Sequence, residues 1–220
     1  MENINNHIGI AGRVYSDFEF SHEVYGEGFY RFEVEIYRLS DTADILPVTI
    51  SERIVDMDNV HIGAWVYIAG QIRSYNNYVE EDRRNKLVLT VFARDIELLD
   101  IDEEEDPMTP DGLMPQLDIN PNDVFLNGYI CKPPIYRTTP FGREIADILL
   151  AVNRSYNKSD YIPCIAWGRN ARFAGKLSVG SNIKLWGRMQ SRSYQKKFEN
   201  GDVLEKTAYE VSISKIESPI

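Results

Sequence analysis

Residues 161–194 read Y-I-P-C-I-A-W-G-R-N-A-R-F-A-G-K-L-S-V-G-S-N-I-K-L-W-G-R-M-Q-S-R-S-Y, and their alternation decides how the rest of the chain is to be read. Successive side chains of a strand point to opposite faces, so each apolar run divides into two columns. From Tyr161 to Trp167 one column is Ile162, Cys164 and Ala166, compact enough for the inside of a small barrel. The other is Tyr161, Pro163, Ile165 and Trp167, whose two large rings would overfill such an interior. The run R-N-A-R-F-A-G-K-L after Gly168 suits a short helix ended near Gly175 or Gly180. From Ile183 onward one column is Ile183, Leu185, Gly187 and Met189, again core material, and the opposite one is Lys184, Trp186, Arg188, Gln190, Arg192 and Tyr194. Cations and rings interleave on that second face. Lys and Arg follow phosphates, while every base has a π face that stacks on an aromatic ring, so the pattern points to single-stranded nucleic acid. A tryptophan on the outer face of a strand is also suited to burial under a partner domain, and for Trp186 both readings stand.

Working outward, Val124 to Ile130 is a strand interrupted by Gly128, where a bulge or bend is expected. Glu144 to Arg154 is the next strand, and Asn182 to Tyr194 joins Val203 to Ile216 through E-N-G-D, a hairpin signal. Five short strands with a helix between the third and fourth is the order of an OB-fold, a five-stranded Greek-key barrel. An SH3-like barrel would not need that helix.

The same pattern occurs earlier in the chain. Sliding the sequence against itself by about 116 residues puts Gly12 on Gly128, Gly26 on Gly142, Arg38 on Arg154, Asp44 on Asp160, Pro47 on Pro163 and Arg53 on Arg169. Apolar positions follow, with Ile10 on Leu126, Val14 on Ile130, Phe32 on Ile148 and Ile36 on Val152. One added residue aligns Gly63 with Gly180 and Gly70 with Gly187, and three more align Ile96-Glu97 with Ile216-Glu217. The expectation is an all-β chain of two tandem OB-folds, each with a short helix between its third and fourth strands. The first spans residues 1–99, a linker spans 100–122, and the second spans 123–220. Within the linker, D-I-D-E-E-E-D-P-M-T-P-D-G-L-M-P-Q-L-D-I-N has eight acidic residues, no basic one and three prolines. It reads as a solvated spacer, or as an acidic decoy competing for the basic groove of the second domain.

Charge separates the two copies. The whole chain carries −10, an average that argues against a polyanion partner. Residues 1–122, however, hold 9 Lys+Arg against 25 Asp+Glu, and residues 123–220 hold 15 against 9. Only the second part suits a polyanion. Cys131 and Cys164 lie far apart and outside any C-x-x-C pair, so neither a disulfide framework nor a zinc site is expected. No apolar run is long enough to span a membrane, and the amino terminus lacks a basic region followed by an apolar run. A cytoplasmic, nucleoid-associated protein without membrane contact is expected.

The second copy resembles the bacterial single-stranded-DNA-binding proteins and their relative, primosomal replication protein N. The resemblance rests on V-F-L-N-G-Y-I, P-F-G-R-E-I-A-D-I-L-L-A-V-N-R-S-Y, D-Y-I-P-C-I-A-W-G-R-N-A and S-V-G-S-N-I-K-L-W-G-R-M-Q-S-R-S-Y, and covers nearly all of residues 123–217. It implies base-stacking aromatics at Tyr156, Tyr161, Trp167 and Tyr194, three of which strand parity selects independently. Trp186 joins them from parity alone. It also implies phosphate contacts from Arg154, Lys158, Arg169, Arg188, Arg192 and Lys196, of which parity selects Arg188 and Arg192. The family often ends in an acidic tail closed by Pro-Phe that recruits partner proteins, whereas this sequence stops at E-S-P-I.

In the first copy Tyr156 becomes Ser40, Tyr161 becomes Ile45 and Trp167 becomes Ser51, while Leu149 and Ala151 become Glu33 and Glu35. The first copy is therefore expected to keep the fold with a degraded DNA face and to complete a pseudo-dimer with the second. Arg73, Tyr75, Tyr78, Arg83 and Arg84 are left as a modest patch around its last hairpin. His7, His22 and His61 lie at no metal-ligand spacing, no nucleophile motif or phosphate-binding glycine loop occurs, and the acids of the second copy are scattered, so neither an enzyme, a metal nor a cofactor is expected. The sequence thus predicts single-stranded DNA binding with little sequence preference, in replication, recombination or repair, by a homo-oligomer, a dimer of tandem-OB chains. The alternatives are a protein-interaction module of a replication-restart complex, with replication or repair proteins as partners, and RNA binding.

Overall fold

A computed structural model describes residues 4–38, 40, 42–79, 84–101, 120–197 and 203–218. Six strands form in the first half: β1 (Asn6–Val14), β2 (Glu19–Val24), β3 (Glu27–Tyr37), β4 (Ala43–Ser51), β5 (Trp65–Val79) and β6 (Arg84–Leu98). The second half repeats them as β7 (Asn122–Ile130), β8 (Ile135–Thr138), β9 (Glu144–Arg154), β10 (Lys158–Trp167), β11 (Asn182–Lys197) and β12 (Val203–Glu217), with helix α1 (Gly168–Ala174) between β10 and β11. The described part of the expected linker is confined to its two ends, since residues 102–119 lie outside the described residues.

The strands run in the order β2-β3-β4-β6-β5-β1-β7-β11-β12-β10-β9-β8, with β3 also pairing β1 and β9 also pairing β7. Those two closures make a five-stranded barrel of each half, and β2 and β8 extend each barrel at its edge. In both, the third barrel strand lies parallel to the fifth, β4 with β6 and β10 with β12, and the other pairings are antiparallel. This is the tandem OB-fold expected from the strand order.

The columns separate as the alternation requires. Ile162, Cys164, Ala166, Ile183, Leu185 and Met189 are buried, as are the repeat-matched pairs Ile10 and Leu126, Val14 and Ile130, Phe32 and Ile148, Ile36 and Val152. Ile165 and Gln190, although on the outer columns, are covered as well. Gly70 and Gly187 sit at matching bulges, after Ala69 and Trp186. A Cβ there would strike the carbonyl of Phe92 or of Ser212, so the backbone of the neighbouring strand, rather than turn geometry, excludes a side chain at both positions.

One detail differs between the copies. The short helix between third and fourth strands forms in the second half, where Ala171 and Ala174 bury against the barrel. In the first half, residues 52–64 are a succession of turns without a helix. There Asp56 binds its own neighbours, accepting from the Asp58 amide at 3.2 Å and from Asn59 Nδ2 at 2.7 Å. Its carbonyl also accepts from the Val60 amide at 3.0 Å. Asp and Asn compete with the backbone in this way, and Ile54, Val55 and Val60 are β-branched, whereas the second copy offers alanines. Val55, at the repeat position of Ala171, is buried, and so is Val60.

The two barrels join through β1 and β7, which pair antiparallel with Ile8 opposite Val124. Those two are equivalents in the repeat, so the junction has the symmetry of a twofold dimer within one chain. Asn6 bonds the backbone of Ile72 in both directions, at 2.8 and 2.9 Å, and its equivalent Asn122 bonds Met189 at 2.7 and 2.9 Å. Asp44 and Asp160, each 1% exposed, reach across. The Ser191 amide donates to Asp44 at 2.7 Å and the Ser74 amide donates to Asp160 at 2.8 Å. Each aspartate also binds the arginine of its own half, Arg38 at 2.5 Å and Arg154 at 3.3 Å, and Asp160 holds a second, Arg73, at 3.0 Å. A buried carboxylate needs such partners, and the repeat supplies them reciprocally.

Candidate nucleic-acid interface

The rings nominated from the sequence cluster along the β9–β10 hairpin and the strand that follows it. Tyr156 lies in the three-residue turn 155–157 with φ 61° and is 94% exposed. That backbone region disfavours a bulky side chain by about 1 kcal/mol or more, so a tyrosine there is an outlier. Tyr161 follows on β10, 45% exposed, and its amide donates to Ser74 Oγ of the first half at 2.7 Å. Trp167 ends β10 and caps α1, 38% exposed, with its indole N–H toward Ser212 Oγ at 3.3 Å. Tyr194 is half-buried on β11 and lines a groove of about 320 Å³ together with Pro163, Arg192 and Tyr209.

Trp186 has a different setting. Its ring lies 5.2 Å from that of Phe125, tilted, and the Lys215 ammonium sits 4.6 Å from its centroid. No ring contact among the described residues links it with the other four.

The cations divide similarly. Lys158 and Arg169 are exposed, the latter in the first turn of α1. Arg192 is exposed with Glu210 Oε1 3.8 Å from its Nε. Arg154 is committed to Asp160. Arg188 points into the junction, where burial first and then the neighbouring Arg38 lower its pKa, against the opposing pull of Asp44. Strand parity fixes the side of β11 on which Arg188 lies but not what covers that side. The Lys196 side chain lies outside the described residues, as do those of Tyr78, Arg83 and Arg84.

Three residues that sequence reasoning did not nominate lie beside this set. Arg31 on β3, with Phe92 and Arg94 on β6, borders a groove that Tyr156 and Lys158 also line. The available signal was their position on outward columns of the first copy, at repeat positions where the second has Asp147, Ser212 and Ser214.

Two closed barrels of OB topology, joined as an internal pseudo-dimer and bearing exposed rings beside cations, define a tandem OB-fold protein. The same fold occurs in the wild-type single-stranded DNA binding protein from Thermus aquaticus, which superposes with a TM-score of 0.72 over 98% of this chain and 93% of that one, at 17% identity. The model of the single-strand binding protein family matches residues 121–218. Single-stranded DNA-binding protein B of Bacillus subtilis (strain 168) is 37% identical over 81 residues, which cover 72% of its length and 34% of this chain. This chain belongs to the single-strand binding protein family. Single-stranded DNA-binding protein 1 of Staphylococcus aureus (strain COL) is 41% identical over 81 residues, 34% of this chain and 48% of its own. The chain spans about half the length of the first of the curated relatives it matches.

Proposed function

We propose that this protein binds single-stranded DNA with little sequence preference, through the outer face of its second barrel. The observation that carries this reading is the series Tyr156, Tyr161 and Trp167, all exposed on one hairpin and strand whose alternate residues Ile162, Cys164 and Ala166 are core. Rings held outward on a rigid sheet stack bases at about 1–3 kcal/mol each. Lys158, Arg169 and Arg192 are the exposed cations beside them and take the phosphates. Arg154 and Arg188 are assigned instead to the junction between barrels.

In this reading the chain divides into a pairing domain at residues 1–99, an acidic connection at 100–122 and the DNA-binding domain at 123–220. The first domain has Ser40, Ile45 and the buried Ser51 where the second has its rings, and its main service is to complete the pseudo-dimer. The protein acts by binding rather than catalysis, in the cytoplasm with the nucleoid, in replication, recombination or repair. It works as a homo-oligomer, a dimer of tandem-OB chains.

Titration of labelled oligo-dT by anisotropy tests the proposal. Binding at low salt that weakens linearly in log–log form as salt rises supports it. Folded protein that leaves oligo-dT unbound at low salt contradicts it, and an RNA oligomer of equal length that competes better would reassign the ligand.

A further inference from the structure

We propose that the first half carries a nucleic-acid contact of its own, an arginine-lined groove at the junction of the barrels that receives the phosphodiester backbone of a single strand leaving the second barrel at Tyr156. The inference rests on the DNA-binding reading above and extends the path onto the domain that the loss of rings marks as inactive.

The groove has a volume of about 770 Å³ and is walled by Arg31, Tyr75, Phe92 and Arg94 of the first half and by Tyr156 and Lys158 of the second. A second groove, about 630 Å³, adjoins it, and Arg73, Arg94 and Arg154 border both. These three guanidinium groups therefore form the ridge between two open channels. The cations are also positioned. Arg73 and Arg94 both lie against the ring of Phe92, 5.8 and 5.7 Å from its centroid, and Arg31 lies 5.6 Å from that of Tyr75. Gln71 Oε1 accepts from Arg73 at 2.5 Å and from Arg94 at 3.4 Å, tying the pair together.

Among the described residues, the charge of this cluster is not balanced. Asp160 is shared by Arg73 and Arg154. Among the described residues, Arg31 and Arg94 form no ion pair with a carboxylate, although Glu19 is the cross-strand neighbour of Arg31. The pKa of Arg73 is lowered by burial first, and Arg154 and Arg94 lower it further against the opposing pull of Asp160. Like charges held this close favour an anion over them. A phosphodiester supplies one negative charge per nucleotide, and rings such as Tyr75 and Phe92 suit the adjoining bases.

Arg31, Arg73, Phe92 and Arg94 are particular to the first half. At the positions of Arg31, Arg73, Phe92 and Arg94 the second copy has Asp147, Gln190, Ser212 and Ser214. The acidic half lacks the rings of one surface and carries cations on another, continuous with the hairpin that bears Tyr156.

The test uses the full chain with both Arg31→Gln and Arg94→Gln; both side chains are exposed, and the ion-paired Arg73 is left alone. Two oligo-dT probes are titrated, a short one of about 8 nucleotides that one OB-fold accommodates and a long one of about 30 that must leave it. The expected result is unchanged affinity for the short probe and about tenfold weaker binding of the long one. The log–log salt slope for the long probe should fall in magnitude by about 1.4, the amount for two single-strand phosphate contacts. The Arg31→Lys, Arg94→Lys variant should restore both. Wild-type affinity and salt slope for the long probe in the Gln variant would overturn the groove while leaving the second-barrel reading intact, as would equal weakening of both probes. Failure of the wild-type chain to bind either probe would overturn the second-barrel reading and this inference with it.

Discussion

The outward surfaces of the two barrels share a backbone and differ in what they carry. On the second, Tyr161 and Trp167 stand where the first has Ile45 and Ser51, and Ser51 is buried while Trp167 is exposed. Many interior positions stay apolar in both, and the junction keeps the equivalent residues Asn6 and Asn122, Asp44 and Asp160, in matching roles. Packing and pairing constrain both copies alike, whereas the outer columns are free to diverge. On the proposed reading the divergence places the DNA surface more sharply than composition does, since the whole chain carries a formal charge of −10.

The symmetry of the junction breaks most easily at its more loaded end. Asp160 binds two arginines and an amide, Asp44 one arginine with the Ser191 amide and hydroxyl. Asp160→Ala leaves two desolvated guanidinium groups without their carboxylate, so it should cost about 3–5 kcal/mol in urea unfolding. Asp44→Ala should cost less, and equal losses would show that the second arginine of Asp160 adds nothing.

Next in size are the rings. Tyr161→Ala should weaken oligo-dT binding by about 1–3 kcal/mol, and Ile45→Ala, its counterpart, should leave binding unchanged. Anisotropy titrations of the two variants in parallel test the contrast directly.

The smallest effect has opposite signs in stability and binding. Tyr25 and Tyr156 both occupy left-handed turns, at φ 52° and 61°. Replacing either by Gly should raise the unfolding free energy by about 1 kcal/mol, since the side chain is the source of the strain. Only Tyr156→Gly should also weaken oligo-dT binding. Weakening by Tyr25→Gly would extend the interface along the first half's outer hairpin.

Much of this was legible because period-two alternation and a repeat act on each other. Gly12, Gly70, Gly128 and Gly187 align without any structure, and each proves to lie where a neighbouring backbone excludes a Cβ. The columns of β10 gave the exposed rings correctly, since a small barrel has one inside. What parity does not reveal is which neighbour covers an outward column. Arg188 and Gln190 share a column with Tyr194, yet the first turns into the junction and the second is buried with Glu210 as its partner. Nor does a repeat guarantee every local element, as the turns of residues 52–64 show. The groove containing Arg31, Arg94 and Lys158 was invisible because its walls come from opposite halves of the sequence.

The most direct test of a DNA-binding surface on the second barrel is the tryptophan emission of the wild type and of Trp167→Ala as oligo-dT is added. Trp65 is buried and Trp186, partly buried, packs against Phe125 and Lys215, so Trp167 is the indole best placed to report on a stacked base. Strong quenching in the wild type, largely absent from a folded Trp167→Ala variant, is the predicted result. Quenching of equal size in both, or none in either, would contradict it.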